Sequence, residues 1–135
     1  MIKFNWKNLQ NKKIAALGLG VENLALVKFL LKNKVNCHIA VCDPKSAAEL
    51  GDRFLEIKEL ARKNKMPEII EMSGKNYDAH LADFDIIFRS PGYPLFNPNL
   101  IKAKKAGVEI SSPMKLFFQL CPTKNIIGVT GSKGK

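Results

Sequence analysis

The sharpest chemical signal in this sequence is a phosphate-binding loop. The segment GVTGSKGK at residues 128–135 fits the pattern G-x-x-x-x-G-K and directly follows an apolar run. In loops of this kind the backbone N–H groups surround phosphates and the lysine reaches the terminal ones. The pattern predicts an ATP site. A Ser or Thr that holds Mg²⁺ is expected at the next position, so we interpret the chain as a fragment of a longer protein. The predicted ATP-binding residues are Gly128, Thr130, Gly131, Ser132, Lys133, Gly134 and Lys135.

A second candidate phosphate site is the turn Gly18-Leu19-Gly20, which separates an apolar run from a pattern of helical period. Glycine permits a sharp turn and a close approach of the backbone to a pyrophosphate, and the helix that follows offers free N–H groups to the anion. Asn23 stands where the dinucleotide-binding fingerprint has a third small residue, and Glu22 places a negative charge in the first helical turn. A plain tight turn is therefore an alternative to a phosphate site.

Two further motifs follow apolar runs. Asp43 comes about 20 residues after the glycine turn, where an acidic residue commonly holds a ribose hydroxyl; a cap of the turn at Pro44 is the alternative. The loop Ser90-Pro91-Gly92 could present backbone N–H groups to a ligand, and a loop without a ligand is the alternative. Both motifs are predicted to lie where strands end.

The segments that must position these motifs are short apolar runs that alternate with helical patterns. Helix starts are indicated by a capping box at residues 46–49, whose helix should run towards Asn64 with a weak point at Gly51, and by the pairs Asn97-Pro98 and Ser112-Pro113. The alternation predicts an α/β fold with a Rossmann-like, doubly wound, mostly parallel sheet of five to six strands and helices on both faces. Ligands bind such sheets at the carboxyl ends of the strands. The predicted strands cover residues 13–17, 35–42, 68–72, 84–88, 108–111 and 125–129.

Composition restricts the class of protein further. The net charge of +10 is compatible with a phosphorylated ligand, but no aromatic-rich RNA-binding motif accompanies it, so no nucleic-acid partner is expected. No apolar stretch reaches the roughly 18 residues of a membrane span and no signal peptide is evident, so we expect a cytoplasmic protein without a membrane partner. The three cysteines fit neither a disulfide framework nor a zinc site, and Cys37 and Cys42 should point to opposite faces of one strand.

The tandem of two phosphate-binding turns resembles the Mur ligase family. The central domain of that family opens with a loop of the form T-G-[ST]-x-G-K-[ST], which residues 130–135 match as far as they go. The D-glutamate-adding branch typically carries a G-L-G turn, an Asp at the end of the second strand and an S-P-G loop, like Gly18–Gly20, Asp43 and Ser90–Gly92 here. The resemblance extends from about Lys13 to the end of the chain, through Pro98, Leu100, Ala103 to Gly107, Val108 to Ile110 and the pair Leu116-Phe117.

The resemblance implies two parts. Residues 1–122 would form a Rossmann-like UDP-substrate-binding domain, and residues 123–135 a linker with the truncated start of an ATP-binding central domain (the P-loop). Backbone near Gly20 would meet the pyrophosphate, Asp43 and the two residues after it the uracil or its ribose, and Gly92 the sugar-phosphate part. The UDP-binding residues implied in this way are Gly18, Gly20, Val21, Glu22, Asp43, Pro44, Lys45, Ser90 and Gly92.

The reaction implied for the longer protein is ATP-dependent amide formation in peptidoglycan precursor synthesis. ATP would phosphorylate the alanyl carboxylate of UDP-N-acetylmuramoyl-L-alanine, and the amine of D-glutamate would attack the acyl phosphate, with Mg²⁺ neutralising phosphate charge. The fragment alone is expected to be a monomer without catalytic residues or metal ligands, to hold neither ATP nor Mg²⁺ tightly, and not to catalyse. Two alternatives stay open: an NAD(P)-binding Rossmann module of an oxidoreductase or regulatory protein, and a basic nucleic-acid-binding domain.

Overall fold

The computed structural model describes residues 7–131, and a sheet of five strands lies at its centre. The strands are β1 (Lys13–Leu17), β2 (His38–Asp43), β3 (Ile70–Ser73), β4 (Ile86–Arg89) and β5 (Glu109–Ser111). Their order is β3-β2-β1-β4-β5, and every neighbouring pair is parallel. The chain places β2 and β3 on one side of β1, and then crosses to the other side of β1, where it forms β4 and β5. This topology confirms the predicted Rossmann-like, doubly wound sheet.

In the described part of the chain, helices connect the strands on both faces of the sheet. They are α1 (Val21–Lys32), α2 (Ala47–Leu50), α3 (Asp52–Lys63), the 3₁₀ helix Leu81–Asp83, α4 (Pro98–Lys105) and α5 (Pro113–Leu120). The buried side chains of α1, α3 and α5 share one core with one face of the sheet, whereas α4 and the 3₁₀ helix pack on the other face. None of the helices within residues 7–131 is long and apolar enough to cross a lipid bilayer.

The side chains of β1 alternate between these two cores. Ile14 and Ala16 point into the core shared with α1, whereas Ala15 and Leu17 point into the core shared with α4, and all four are at most 1% exposed. A central parallel strand that is covered on both faces requires such a nearly continuous apolar run. The apolar run that precedes the glycine turn therefore reflects the central place of β1 in the sheet.

The second strand begins later than the sequence predicts. Lys34 has a φ of +52°, and Val35 N–H donates back to a carbonyl of α1 at 3.1 Å, so the helix end is closed before β2 begins at His38. Cys37 therefore precedes β2, yet Cys37 and Cys42 lie in opposite cores, as predicted. The strands β3, β4 and β5 also begin one or two residues later than predicted.

The predicted sixth strand at residues 125–129 is wrong. These residues form no strand, and Ile127 is 90% and Val129 70% exposed. An apolar run becomes a strand only where a neighbouring strand pairs with it and a covering layer buries it, and the five-stranded sheet provides neither at this point. In contrast, the helix predicted from residue 46 towards residue 64 is present, and it is interrupted at Gly51 between α2 and α3.

Candidate functional site at the carboxyl ends of the strands

The carboxyl ends of β1 and β4 flank the topological switch point of the sheet. β1 pairs with β2 on one side and with β4 on the other, so the connections that leave β1 and β4 run in opposite directions. In open parallel sheets a crevice forms at this point, and ligands bind there. The glycine turn (Gly18–Gly20) follows β1, Asp43 ends β2 and the Ser90 loop (residues 90–93) follows β4. The structure thus brings three predicted motifs to one edge of the sheet.

The glycine turn is held close to the neighbouring strand ends. Gly18 N–H donates to the Cys42 carbonyl at 2.7 Å, and Ser90 N–H donates to the Leu17 carbonyl at 3.0 Å. Gly18 has a φ of +86°, and a Cβ at this position would lie 2.6 Å from Ser90 Oγ. The backbone conformation and the contact both require glycine at residue 18.

Asp43 supports the same turn through its carboxylate. Oδ2 accepts a hydrogen bond from Leu19 N–H at 2.8 Å, and Oδ1 accepts one from Lys45 N–H at 2.9 Å. The half-buried carboxylate therefore links the end of β2 to the glycine turn and also stabilises the turn that follows β2. Because each carboxylate oxygen has a second lone pair, Asp43 retains the capacity to accept from a ribose hydroxyl. The ribose contact itself stays a prediction.

The first turn of α1 opens directly after the glycine turn. Gly20 precedes the helix in an extended conformation, with φ of −80° and ψ of −173°, and offers no side-chain cap. The unpaired N–H groups and the positive end of the helix dipole suit a phosphate. Val21 and Glu22 are both exposed here, and the Glu22 carboxylate opposes an anion. Opposite charge lies nearby, because Arg53 Nη1 of α3 donates to the Leu19 carbonyl at 3.2 Å.

The Ser90 loop is anchored at both of its ends. Arg89 Nη1 donates to the Tyr93 carbonyl at 2.6 Å and to the Ser90 carbonyl at 3.3 Å. The Tyr93 hydroxyl donates to Asp78 Oδ2 at 2.9 Å, and both side chains are buried. Burial and the neighbouring Asp78 carboxylate raise the pKa of Tyr93 well above its ordinary value, so the hydroxyl stays protonated and remains a donor.

The remaining residues of the predicted UDP site lie at the same edge. Pro44, Lys45 and Gly92 are exposed there. The Pro44 carbonyl accepts a hydrogen bond at 3.2 Å from the N–H of Gly74, which follows β3, so the segment after β2 is tied to its neighbour. All the predicted UDP-binding residues thus lie at the ends of β1, β2 and β4, although their contacts with a ligand stay predictions.

The predicted ATP loop lies only partly within the described residues. Gly128, Thr130 and Gly131 are exposed and belong to no helix or strand. Residues 132–135, which complete the predicted loop, lie outside the described residues. The ATP site therefore stays a prediction from the sequence pattern.

Three side chains that shape this edge were not predicted from the sequence as functional: Asn23, Arg53 and Tyr93. A signal existed for Asn23, because Asn23, Val27 and Leu30 follow the spacing of one helical face and all are buried. No comparable signal marked Arg53 or Tyr93, since the groups that their side chains contact are distant in sequence.

A doubly wound parallel sheet with a glycine turn and an acidic residue at its switch point defines a Rossmann-like domain. The family model described as "Mur ligase MurD-like, N-terminal domain" matches residues 12–112. The chain belongs to this family.

Named relatives agree with that assignment. The UDP-N-acetylmuramoylalanine--D-glutamate ligase of Clostridium acetobutylicum is 40% identical over 129 residues, which cover 96% of this chain and 26% of the relative. The ligase of the same name from Clostridium novyi (strain NT) is 37% identical over 127 residues, which cover 94% of this chain and 26% of the relative. The chain thus spans about a quarter of the length of the curated relatives it matches.

Among solved structures, a universal stress protein in complex with cAMP is similar to this chain with a TM-score of 0.43 and 11% identity. The similarity covers 76% of this chain and 96% of that protein. At this level it carries no inference about fold or function.

Proposed function

We propose that this chain is the substrate-binding N-terminal part of an ATP-dependent ligase that joins D-glutamate to UDP-N-acetylmuramoyl-L-alanine in peptidoglycan precursor synthesis. The observation that carries the proposal is the convergence of the glycine turn, Asp43 and the Ser90 loop at the switch point in a chain of the MurD-like family. The names of the relatives support this substrate and this amino acid. We place the reaction in the cytoplasm, because the three free cysteines suit a reducing compartment.

The chemistry of the strand ends suggests how the UDP part would lie. The pyrophosphate suits the N-terminus of α1 after Gly20, where free N–H groups and the helix dipole act together, and Arg53 adds positive charge beside the turn. The ribose suits Asp43, whose carboxylate can accept from a hydroxyl, and the uracil suits the exposed backbone that follows. The sugar-phosphate part suits Gly92, because the absence of a side chain lets a ligand approach the Ser90 loop.

Residues 123–135 would form a linker and the start of the ATP-binding central domain of the longer protein. Ile126, Ile127 and Val129 are exposed apolar side chains, which other parts of the longer protein would cover. The loop that ends in Lys135 would bind ATP phosphates, with Mg²⁺ neutralising their charge. ATP would phosphorylate the alanyl carboxylate, and the amine of D-glutamate would displace the phosphate. The chain alone would bind the UDP substrate without catalysing this step.

An NAD(P)-binding module is the second candidate function. A glycine turn and an acidic residue after the second strand hold dinucleotides in many Rossmann folds, and both features are present here. Two observations favour the ligase over this candidate. The buried Asn23 replaces the small third residue of the dinucleotide fingerprint, and the named relatives are ligases.

Isothermal titration of the chain with UDP-N-acetylmuramoyl-L-alanine, NADH and ATP tests the proposal. We expect binding of the UDP compound only, weakened about tenfold or more by Asp43→Ala, because that change removes the anchor of Leu19 and the ribose acceptor. Lys102→Ala, which removes an exposed charge in the last turn of α4, is the control and should leave the affinity unchanged. Binding of NADH without a response to the UDP compound would favour the second candidate, and no binding of the UDP compound at all would count against the proposed site.

A further inference from the structure

Asn23 is an exception on the buried face of α1. It is the third residue of the helix and is 0% exposed, whereas the other residues on that face of the helix, such as Val27 and Leu30, are apolar. A buried amide is costly unless its hydrogen-bonding groups find partners. Asn23 lies directly behind the glycine turn, so its amide contacts groups at the strand ends.

The side-chain amide of Asn23 bridges the two sides of the switch point. Its Nδ2 donates to the Gly18 carbonyl at 2.8 Å, to the Phe88 carbonyl at 3.0 Å and, more weakly, to the Leu17 carbonyl at 3.3 Å. Leu17 and Gly18 form the end of β1 and the start of the glycine turn, and Phe88 lies in β4 two residues before Ser90. One side chain therefore ties the glycine turn to the strand that carries the Ser90 loop.

Packing alone does not account for an asparagine at this position. Its Oδ1 is buried and has no hydrogen-bond partner among the described residues, which is unfavourable. Rotation of the amide would not help, because Oδ1 would then face three carbonyl oxygens. A leucine has a similar size and would avoid the unpaired oxygen, so the feature that distinguishes asparagine here is the donor that joins β1 to β4.

We propose that Asn23 is a positioning residue that sets the separation of the glycine turn and the Ser90 loop, and so presets the crevice for the pyrophosphate of the UDP ligand. The inference rests on the proposed function for the identity of the ligand. Asn23 is buried and lies behind the turn, so it acts through the backbone that it holds. A preset crevice spares the ligand the cost of ordering the two segments when it binds.

Amide hydrogen exchange without ligand tests the positioning role directly. We expect Asn23→Leu to raise exchange roughly tenfold both at Leu19 and at Ser90, whose N–H groups bond across the strand ends, as the loss of about one net hydrogen bond implies. Val27→Ala, which removes buried atoms one turn further along the same helix face, is the matched control and should not raise exchange selectively at these two amides. Asn23→Ala removes the amide without adding bulk and replaces Asn23→Leu if leucine does not pack.

Titration with UDP then tests the consequence for binding. Asn23→Leu should weaken UDP binding about tenfold relative to Val27→Ala, and should weaken UDP-N-acetylmuramoyl-L-alanine by the same factor, because the effect arises at the shared pyrophosphate site. Exchange that rises only in the first turn of α1, or an affinity equal to that of the control, would overturn the proposal. If the unmodified chain does not bind UDP, the proposed function fails, and the exchange at Leu19 and Ser90 alone decides whether Asn23 positions the two segments.

Discussion

Gly18 combines two constraints at one residue. Its φ is +86°, and a Cβ would lie 2.6 Å from Ser90 Oγ and 3.2 Å from Ser90 Cβ. Gly107, which follows α4, shares the first constraint with a φ of +93°, but open space surrounds the position of its missing Cβ. A comparison of substitutions at Gly18 and Gly107 therefore separates the effect of backbone strain from the effect of the steric contact with Ser90.

We predict that Gly18→Ala lowers the free energy of unfolding by about 1–3 kcal/mol more than Gly107→Ala does, because overpacking adds to the strain that both share. Urea unfolding of the two variants measures the difference. In a Ser90→Gly background the additional loss of stability caused by Gly18→Ala should become smaller, because Ser90 Oγ and Ser90 Cβ, which the new Cβ would contact, are absent. Equal losses in the two variants would show that the glycine turn and the Ser90 loop are not in close contact.

The two buried thiols predict a loss of stability at alkaline pH. Burial raises the pKa of Cys37 to about 11, and burial together with the charge of Asp78 raises that of Cys42 to about 12, from an ordinary value of 9.0. In the unfolded chain the two thiols lose their protons near their ordinary pKa of 9.0, whereas in the folded chain they keep these protons to a higher pH. The stabilisation is therefore complete below that pH and is lost as the pH rises towards the folded pKa values.

We predict that Cys37→Ala and Cys42→Ala each flatten the decline of stability between about pH 8.5 and about pH 10.5, measured by urea unfolding at each pH. The comparison uses the slope with pH, because the lost packing lowers stability at every pH. Cys121→Ala, which replaces a half-buried thiol outside both cores, is the control and should leave the slope unchanged. A slope that neither buried-thiol variant alters would be inconsistent with neutral buried thiols.

At the scale of the elements, helix starts were the most predictable features. The capping box is present, with Glu49 N–H donating to Ser46 Oγ and Ser46 N–H donating to Glu49 Oε1, both at 3.2 Å. Asn97 and Ser112 likewise accept from backbone N–H groups at the starts of α4 and α5. Each cap and its partner lie two or three residues apart, so sequence spacing alone determines whether they meet.

Features that depend on distant partners could not be predicted in this way. The apolar pattern of residues 125–129 is that of a strand, but the described chain offers it no neighbour. The anchoring of the Ser90 loop depends on the hydrogen bond between Tyr93 and Asp78, which are 15 residues apart, and Tyr93 is buried in the core that α4 shares with the sheet. Asn23 could be predicted in part. Its burial follows from helical spacing, but its three carbonyl acceptors could not be identified from the sequence.

We predict that Tyr93→Phe lowers the free energy of unfolding by about 1–3 kcal/mol, because the buried Asp78 carboxylate loses a donor. The Ser90 loop should also become more mobile, measured as faster amide exchange at Ser90, Gly92 and residue 93. Tyr77→Phe, at the other tyrosine of the chain, is the control and should leave that loop unchanged. A Tyr93→Phe variant with the stability and loop exchange of the unmodified chain would mean that the hydrogen bond to Asp78 does not anchor the loop.

At the scale of the whole molecule, the parallel topology gathers motifs that are far apart in sequence. Every strand runs in the same direction, so the carboxyl ends of β1, β2 and β4 share one edge. Strand alternation in the sequence was sufficient to predict that edge and the residues on it. The side-chain links between the motifs could not be predicted, because they depend on the register and twist of the finished sheet.

A chemical-shift map of the isotope-labelled chain, titrated with UDP, determines whether the carboxyl ends of the strands bind the UDP part of the substrate. We predict that the amide signals of residues 18–22 and of Asp43, Lys45, Ser90 and Gly92 shift together and saturate together, since these residues lie at one edge of the sheet. Signals from β5 and the last turn of α4 should stay in place. Shifts confined to residues 128–131 or spread over many residues outside the strand ends, or an unchanged spectrum, would contradict a UDP site at the carboxyl ends of the strands.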